Sequence, residues 1–186
     1  MPLSTKVFLS SDKNDGFGVT STIIYGEHDA ILVDAQFTIA NAHRLVAELI
    51  ELDRNLRFIF ITHLHPDHYL GLEVIKHHYP EARVIAYQKI SAEINDAYGF
   101  KIDYWGNTIL KNNGANSKFV IENWSEGEIL LEGEVIQILG LLSDDCIDIA
   151  PLWIPSIRTL IASDIVFADC HVWVADMRTP ELLKNG

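Results

Sequence analysis

The chain has 186 residues, 48% of them hydrophobic, enough to fill the core of one domain. Acidic residues outnumber basic ones by 26 to 14, for a formal net charge of −12, and Lys and Arg are scattered. That balance excludes nucleic acid or another polyanion as the main partner, because phosphate binding needs clustered cations.

Residues 6–10, 19–25 and 30–33 read as three short strands, with turns at Asp15-Gly16 and Gly26-Glu27. Ile39, Ala42, Leu45, Val46, Leu49 and Ile50 recur at helical spacing, which predicts a helix with one apolar face laid on a sheet. Residues 56–61 are nearly all apolar, as in a strand covered on both faces. A short helix over 72–78, a strand over 83–87 and a helix over 89–98 follow. Residues 99–117 read as a polar loop, long enough to line or cover a site. Beyond it the pattern turns to strands, over 119–122, 128–131, 135–139, 149–153 and 159–161, with turns at Glu132-Gly133 and Pro155-Ser156. Strands alternating with helices, then a second run of strands, predict a single α/β or α+β domain over 1–186. Cys146 and Cys170 form no Cys-x-x-Cys pair and read as small buried hydrophobes. No stretch approaches a membrane span, and residues 1–13 hold no apolar run fit for a signal peptide. If Met1 is the natural start, a cytoplasmic protein that does not engage the membrane is expected.

The densest chemistry lies in Thr62-His63-Leu64-His65-Pro66-Asp67-His68, which packs three imidazoles and a carboxylate into six residues after the 56–61 strand. Histidine and aspartate are costly to bury without partners, so crowding them at a strand end makes poor packing. Imidazole nitrogen and carboxylate oxygen are, however, the ligands that zinc and similar ions take from proteins. The carboxyl end of a strand is also where open α/β sheets hold their ligands. The loop is therefore expected to bind one or two divalent metal ions, most simply zinc.

This motif, followed by Gly71 and a helix, resembles the signature of the metallo-β-lactamase-fold hydrolases. Residues 160–167, Leu-Ile-Ala-Ser-Asp-Ile-Val-Phe, resemble a strand–Gly-Asp–strand segment of that family, with Ser163 where glycine is usual. The Ile31-Leu32-Val33 strand ending in Asp34 is a weaker third match. The resemblance implies an αβ/βα four-layer sandwich, here without the usual C-terminal portion. It also implies that His63 and His65 bind one metal, Asp67 and His68 the other, and that Asp164 bridges them. The nucleophile would be a metal-bound hydroxide, with Asp67 orienting it or accepting its proton. Asp34 would support the ligands from behind, or serve simply as a strand-end turn residue. The implied activity is a zinc-type metallohydrolase acting on the ester, lactone, thioester or amide group of a small-molecule substrate. Two alternatives are a metal-binding protein with lost or weak catalysis and a di-iron redox protein. The redox branch resembles His-x-Glu-x-Asp-His, whereas this chain carries His65 at the third position.

The chain also departs from that pattern. Residues 139–145 lack the histidine of the family's Gly-His segment, and no second Gly-His follows Asp164, so each metal is left one ligand short. His171 is the candidate replacement ligand, its alternative being a loop or surface histidine, and Asp144 or Asp145 is a lesser candidate. His28 falls in a hairpin turn and His43 in the amphipathic helix, while His77 and His78 end a helix where cations favour the dipole. Trp105, Trp124, Trp153 and Trp173 read mainly as packing residues, with Trp105 and Trp173 as candidates for a substrate wall.

Overall fold

Strand β1 (Ser4–Leu9) pairs antiparallel with β2 (Thr20–Tyr25), and β2 with β3 (Asp29–Val33). From β3 the pairing turns parallel, through β4 (Asn55–Ile61) and β5 (Arg83–Tyr87) to the short edge strand β6 (Glu122–Trp124). The computed structural model describes residues 2–10, 17–142 and 148–167. The predicted turn at Asp15-Gly16, and Asp144, Asp145, Cys146, Cys170, His171 and Trp173, lie outside the described residues.

Parallel pairing requires crossovers, and helices α1 (Ile39–Leu52), α2 (Leu72–His78) and α3 (Lys89–Trp105) supply them. Crossovers of one hand place these helices on one face of the six-stranded sheet. Thr38 caps α1 by accepting from the Asn41 N–H at 3.1 Å, and Asp53 ends it in the left-handed region. The predicted apolar stripe is the one that is buried, through Ala42, Leu45, Val46 and Leu49. Fully buried Ile31, Leu32, Ile59, Phe60 and Ile61 form the centre of the core. Each such side chain contributes about 1.5–3 kcal/mol by leaving water. The expectation for residues 56–61 holds for the last three of them, while Arg57 near the strand's start is exposed.

A second, antiparallel sheet has the order β10-β9-β8-β7, built from β7 (Glu128–Leu131), β8 (Glu134–Ile138), β9 (Leu152–Ile154) and β10 (Thr159–Ile161). One face buries Ile129, Leu131, Ile136, Ile138, Leu152, Ile154 and Ile161 in the same core cluster as the large sheet. The two sheets therefore share one core, with the helices outside the larger. Leu130 and Leu160 remain exposed on the smaller one.

Polar ties also join the sheets. The Ala150 N–H donates to the Thr62 carbonyl at 3.0 Å, beside the histidine loop. The Glu132 carboxylate accepts from the N–H groups of Glu27, His28 and Asp29 at 2.9, 2.6 and 2.7 Å, clamping the β2–β3 turn. Those bonds hold the exposed Glu132 carboxyl down at about 2.

Two elements differ from their predictions. The strand expected over 119–122 forms at Glu122–Trp124 and joins the first sheet rather than the second run of strands, because its register pairs it with β5. The helix expected over 89–98 continues to Trp105, then through a wider turn at Gly106–Leu110 and a tight one at Lys111–Asn113. The predicted 99–117 loop is thus largely helical. Ile102 and Trp105 pack against the core one and two turns beyond Tyr98, and that burial outweighs the roughly 1 kcal/mol that Gly99 costs a helix. Among the described residues, no helix is long and apolar enough to cross a membrane.

Candidate metal centre

The site begins where β3 and β4 end side by side. The Asp34 N–H donates to the Phe60 carbonyl at 2.9 Å, which carries the chain past β4. Asp34 then adopts a φ of 62°, a left-handed conformation that aspartate tolerates better than most residues. Its carboxylate turns inward, 3% exposed as a residue, and receives the Thr62 N–H at 2.9 Å and His68 Nδ1 at 2.9 Å. The Thr62 hydroxyl lies 3.1 and 2.9 Å from its two oxygens. Asp34 is therefore an anchor for the histidine loop rather than a simple turn residue.

Gly71 closes the loop. Its N–H donates to the Gln36 carbonyl at 2.8 Å, and a Cβ there would lie 2.0 Å from the Ala35 carbonyl oxygen. Only glycine allows that approach, which brings the start of α2 against residues 34–36 and returns His68 to Asp34.

Proton counting fixes the orientation of His63. The Thr62 hydroxyl lies 2.9 Å from His63 Nδ1, 2.8 Å from the Ser163 hydroxyl and within reach of Asp34. Its single proton goes to Asp34, because otherwise it faces the carboxylate lone pair to lone pair. His63 Nδ1 is then the donor to Thr62, and the bare Nε2 points the other way. That Nε2 is buried and has no hydrogen-bond partner among the described residues.

Opposite it stands Asp164, in a tight turn (Ser163–Ile165) directly after β10. Its carboxylate is 3.7 Å from His63 Nε2 and 3.3 Å from His68 Nε2, while Asp67 lies 3.5 Å from His68 Nε2. The His63 ring packs 4.8 Å from that of His65 and 4.1 Å from that of His68, centroid to centroid. Two groups result, His63–His65–Asp164 and Asp67–His68–Asp164, each with ligand atoms within 4.8 Å of one another. Asp164 belongs to both. All five candidate residues on described segments are thus brought together, although Asp164 and His63 are far apart in sequence. His171 is not among the described residues.

The electrostatics match a cation site. Burial pushes His63 well below the ordinary histidine value, aided by neighbouring His68. Burial also opposes charge on His68, but Asp34, Asp67 and Asp164 outweigh it and hold its pKa well above the usual range. Burial raises Asp67, and only partly do the histidines offset this. For Asp164 burial acts upward too, yet His68 foremost draws its carboxyl below the usual carboxylate range. Nitrogen and oxygen donors in two groups of three, with a bare buried nitrogen among them, fit divalent ions such as zinc.

Comparison with known proteins gives the family and the fold. The sequence pattern of the metallo-beta-lactamase superfamily matches residues 14–185. The chain belongs to that superfamily. Its members are mostly metal-dependent hydrolases. The fold is shared with the FEZ-1 metallo-beta-lactamase from Legionella gormanii at 18% identity and a TM-score of 0.59, over 90% of this chain and 65% of that one. A metallo-beta-lactamase family protein from Thermus thermophilus aligns at 17% identity and a TM-score of 0.67, over 97% and 66% of the two chains. The metallo-beta-lactamase from Pontibacter korlensis gives 13% and 0.57, over 86% and 66%. This chain thus spans about two thirds of the length of these structures. No curated protein matches the sequence.

Sequence reasoning overlooked the Thr62 and Ser163 hydroxyls, which join the two halves of the centre behind the ligands. Thr62 directly precedes the motif and was the available signal. Trp105 stands edge-on to Phe17 and Phe37 at 6.1 and 5.5 Å, in an aromatic cluster that reads as packing. His43, His77 and His78 gather on another surface, along α1 and the end of α2.

Proposed function

We propose that this protein is a zinc-type metallohydrolase acting on an ester, lactone, thioester or amide carbonyl of a small-molecule substrate. The observation that carries the reading is the pair of donor groups sharing Asp164 at the carboxyl end of β4. His63, His65 and Asp164 would hold one ion, and Asp67, His68 and Asp164 the other. When bound, a divalent pair supplies Lewis acidity, lowering the pKa of a water and polarising the attacked group.

The chain's own residues do the rest. Asp34 fixes His68 through Nδ1, so Nε2 faces the site, and Thr62 does the same for His63. The Asp67 side chain, 21% exposed, belongs to the second group, from where it can orient a water and accept its proton. The acidic surface favours a small substrate over a polyanion. His65, in place of a carboxylate at the third motif position, favours hydrolysis over the di-iron redox alternative.

The test is a panel of ester, lactone, thioester and amide substrates offered to zinc-reconstituted protein. Turnover should appear in at least one class, and Asp67→Asn should lower kcat by about 10²–10⁴-fold. Zinc bound with no turnover anywhere in the panel would instead favour a metal-binding protein that has lost catalysis.

A further inference from the structure

Ser163 sits at a φ of 50°, in the left-handed region that a residue with a Cβ rarely adopts. Something must hold it there. Its hydroxyl lies 2.8 Å from Thr62 Oγ1 and 3.4 Å from Asp34 Oδ2, so it joins the network that also orients His63 and His68. Strand β10 spans three residues at the edge of the small sheet, and Asp164 follows Ser163 immediately, with its side chain 24% exposed. The carboxylate reaches His68 Nε2 at 3.3 Å, but the short edge strand that carries it needs a hold of its own to keep it between two donor groups. The contact with Thr62 bridges 101 positions of sequence and supplies that hold.

We propose that Ser163 is a positioning residue for Asp164, its hydroxyl fastening the end of β10 to Thr62 and Asp34. The proton route that avoids facing lone pairs runs from Ser163 to Thr62 to Asp34 and ends on the buried carboxylate. The tether is thus a chain of hydrogen bonds anchored on a charge, and bonds to a charge are the stronger kind. The strained backbone is the local cost of keeping a hydroxyl where glycine would sit freely. This assignment rests on the metal-centre reading above and adds to it a reason why Asp164 stays in register with the histidine loop.

Ser163→Gly separates the two effects, because it relieves the backbone while removing the hydroxyl. Zinc affinity by chelator competition and thermal unfolding of metal-free protein should be measured for wild type, Ser163→Gly and Ser163→Ala. Ser163→Gly should keep or raise the melting temperature yet bind zinc about tenfold more weakly. Ser163→Ala, which keeps the strain, should lose stability as well as affinity. In an Asp164→Asn background, Ser163→Gly should weaken binding no further, since its effect passes through that carboxylate. Ser163→Gly binding zinc as tightly as wild type would overturn the assignment. So would a fall in stability and affinity together, or an undiminished loss in the Asp164→Asn background. Wild-type protein that takes up no zinc would overturn the underlying metal-centre reading instead, and this assignment with it.

Discussion

The loop carrying His63, His65, Asp67 and His68 leaves a seven-residue strand paired on both sides, whereas Asp164 leaves a three-residue strand at the edge of the smaller sheet. His63 and His68 are buried and each is fixed through Nδ1, to Thr62 and Asp34 respectively. Asp164 is partly exposed and is linked to that scaffold through the strained turn at Ser163. The difference teaches that the two sides of the centre should fail differently. Damage to the β3–β4 side should unfold the protein, and damage to the β10 side should loosen metal first.

The largest effect is expected at Asp34. Asp34→Ala removes the acceptor of the Thr62 N–H and of His68 Nδ1, leaving those buried donors unpaired and His68 with only Asp67 and Asp164 beside it. It should destabilise the protein by about 3–5 kcal/mol, read by denaturant unfolding of the metal-free form. Asp164→Asn should cost far less stability while weakening metal binding. Equal losses for the two variants would erase the distinction between the sides.

Next comes Gly71. A Cβ there meets the Ala35 carbonyl oxygen at 2.0 Å, so α2 or residues 34–36 must shift. Gly71→Ala should cost about 2–3 kcal/mol by the same unfolding measurement, with the metal centre disturbed because Asp34 and His68 move apart. A variant as stable as wild type would show that the close approach of α2 is not what shapes the loop.

The smallest effect concerns the clamp between the sheets at Glu132. Its pKa falls from an ordinary 4.5 to about 2 on folding, so its contribution is fully present above the ordinary value. It is lost as pH falls through about 2, which makes the protein less stable across that window. Glu132→Gln lacks that contribution at every pH. It should therefore unfold at a higher pH during acid titration, followed by circular dichroism, and its stability should fall less steeply between those two values. An unchanged acid midpoint would remove this carboxylate from the set of sheet-joining contacts.

The histidine loop is legible in sequence because its donors lie within six consecutive residues, and their local spacing survives any tertiary arrangement. Asp164 is legible only through resemblance, since nothing in its own neighbours places it against a loop about a hundred positions earlier. The extension of α3 is not legible. Gly99 and Gly106 punctuate the segment as a loop would, and only the core waiting for Ile102 and Trp105 overrides them. The role of Ser163 is hidden for a related reason: a residue type does not declare its φ, and its partners come from β4 and the end of β3. The short strands of the second sheet are found in order: the edge strands β7 and β10 keep their expected bounds, while the ends of the inner strands β8 and β9 shift by one to three residues.

Metal content per chain tests the central claim most directly. Wild-type protein and the His63→Ala/His65→Ala variant should be loaded with zinc, passed over a desalting column and subjected to elemental analysis, with folding checked by circular dichroism. The account predicts at least one retained ion per chain in wild type and none in the variant. A folded variant that keeps the wild-type zinc content would contradict it.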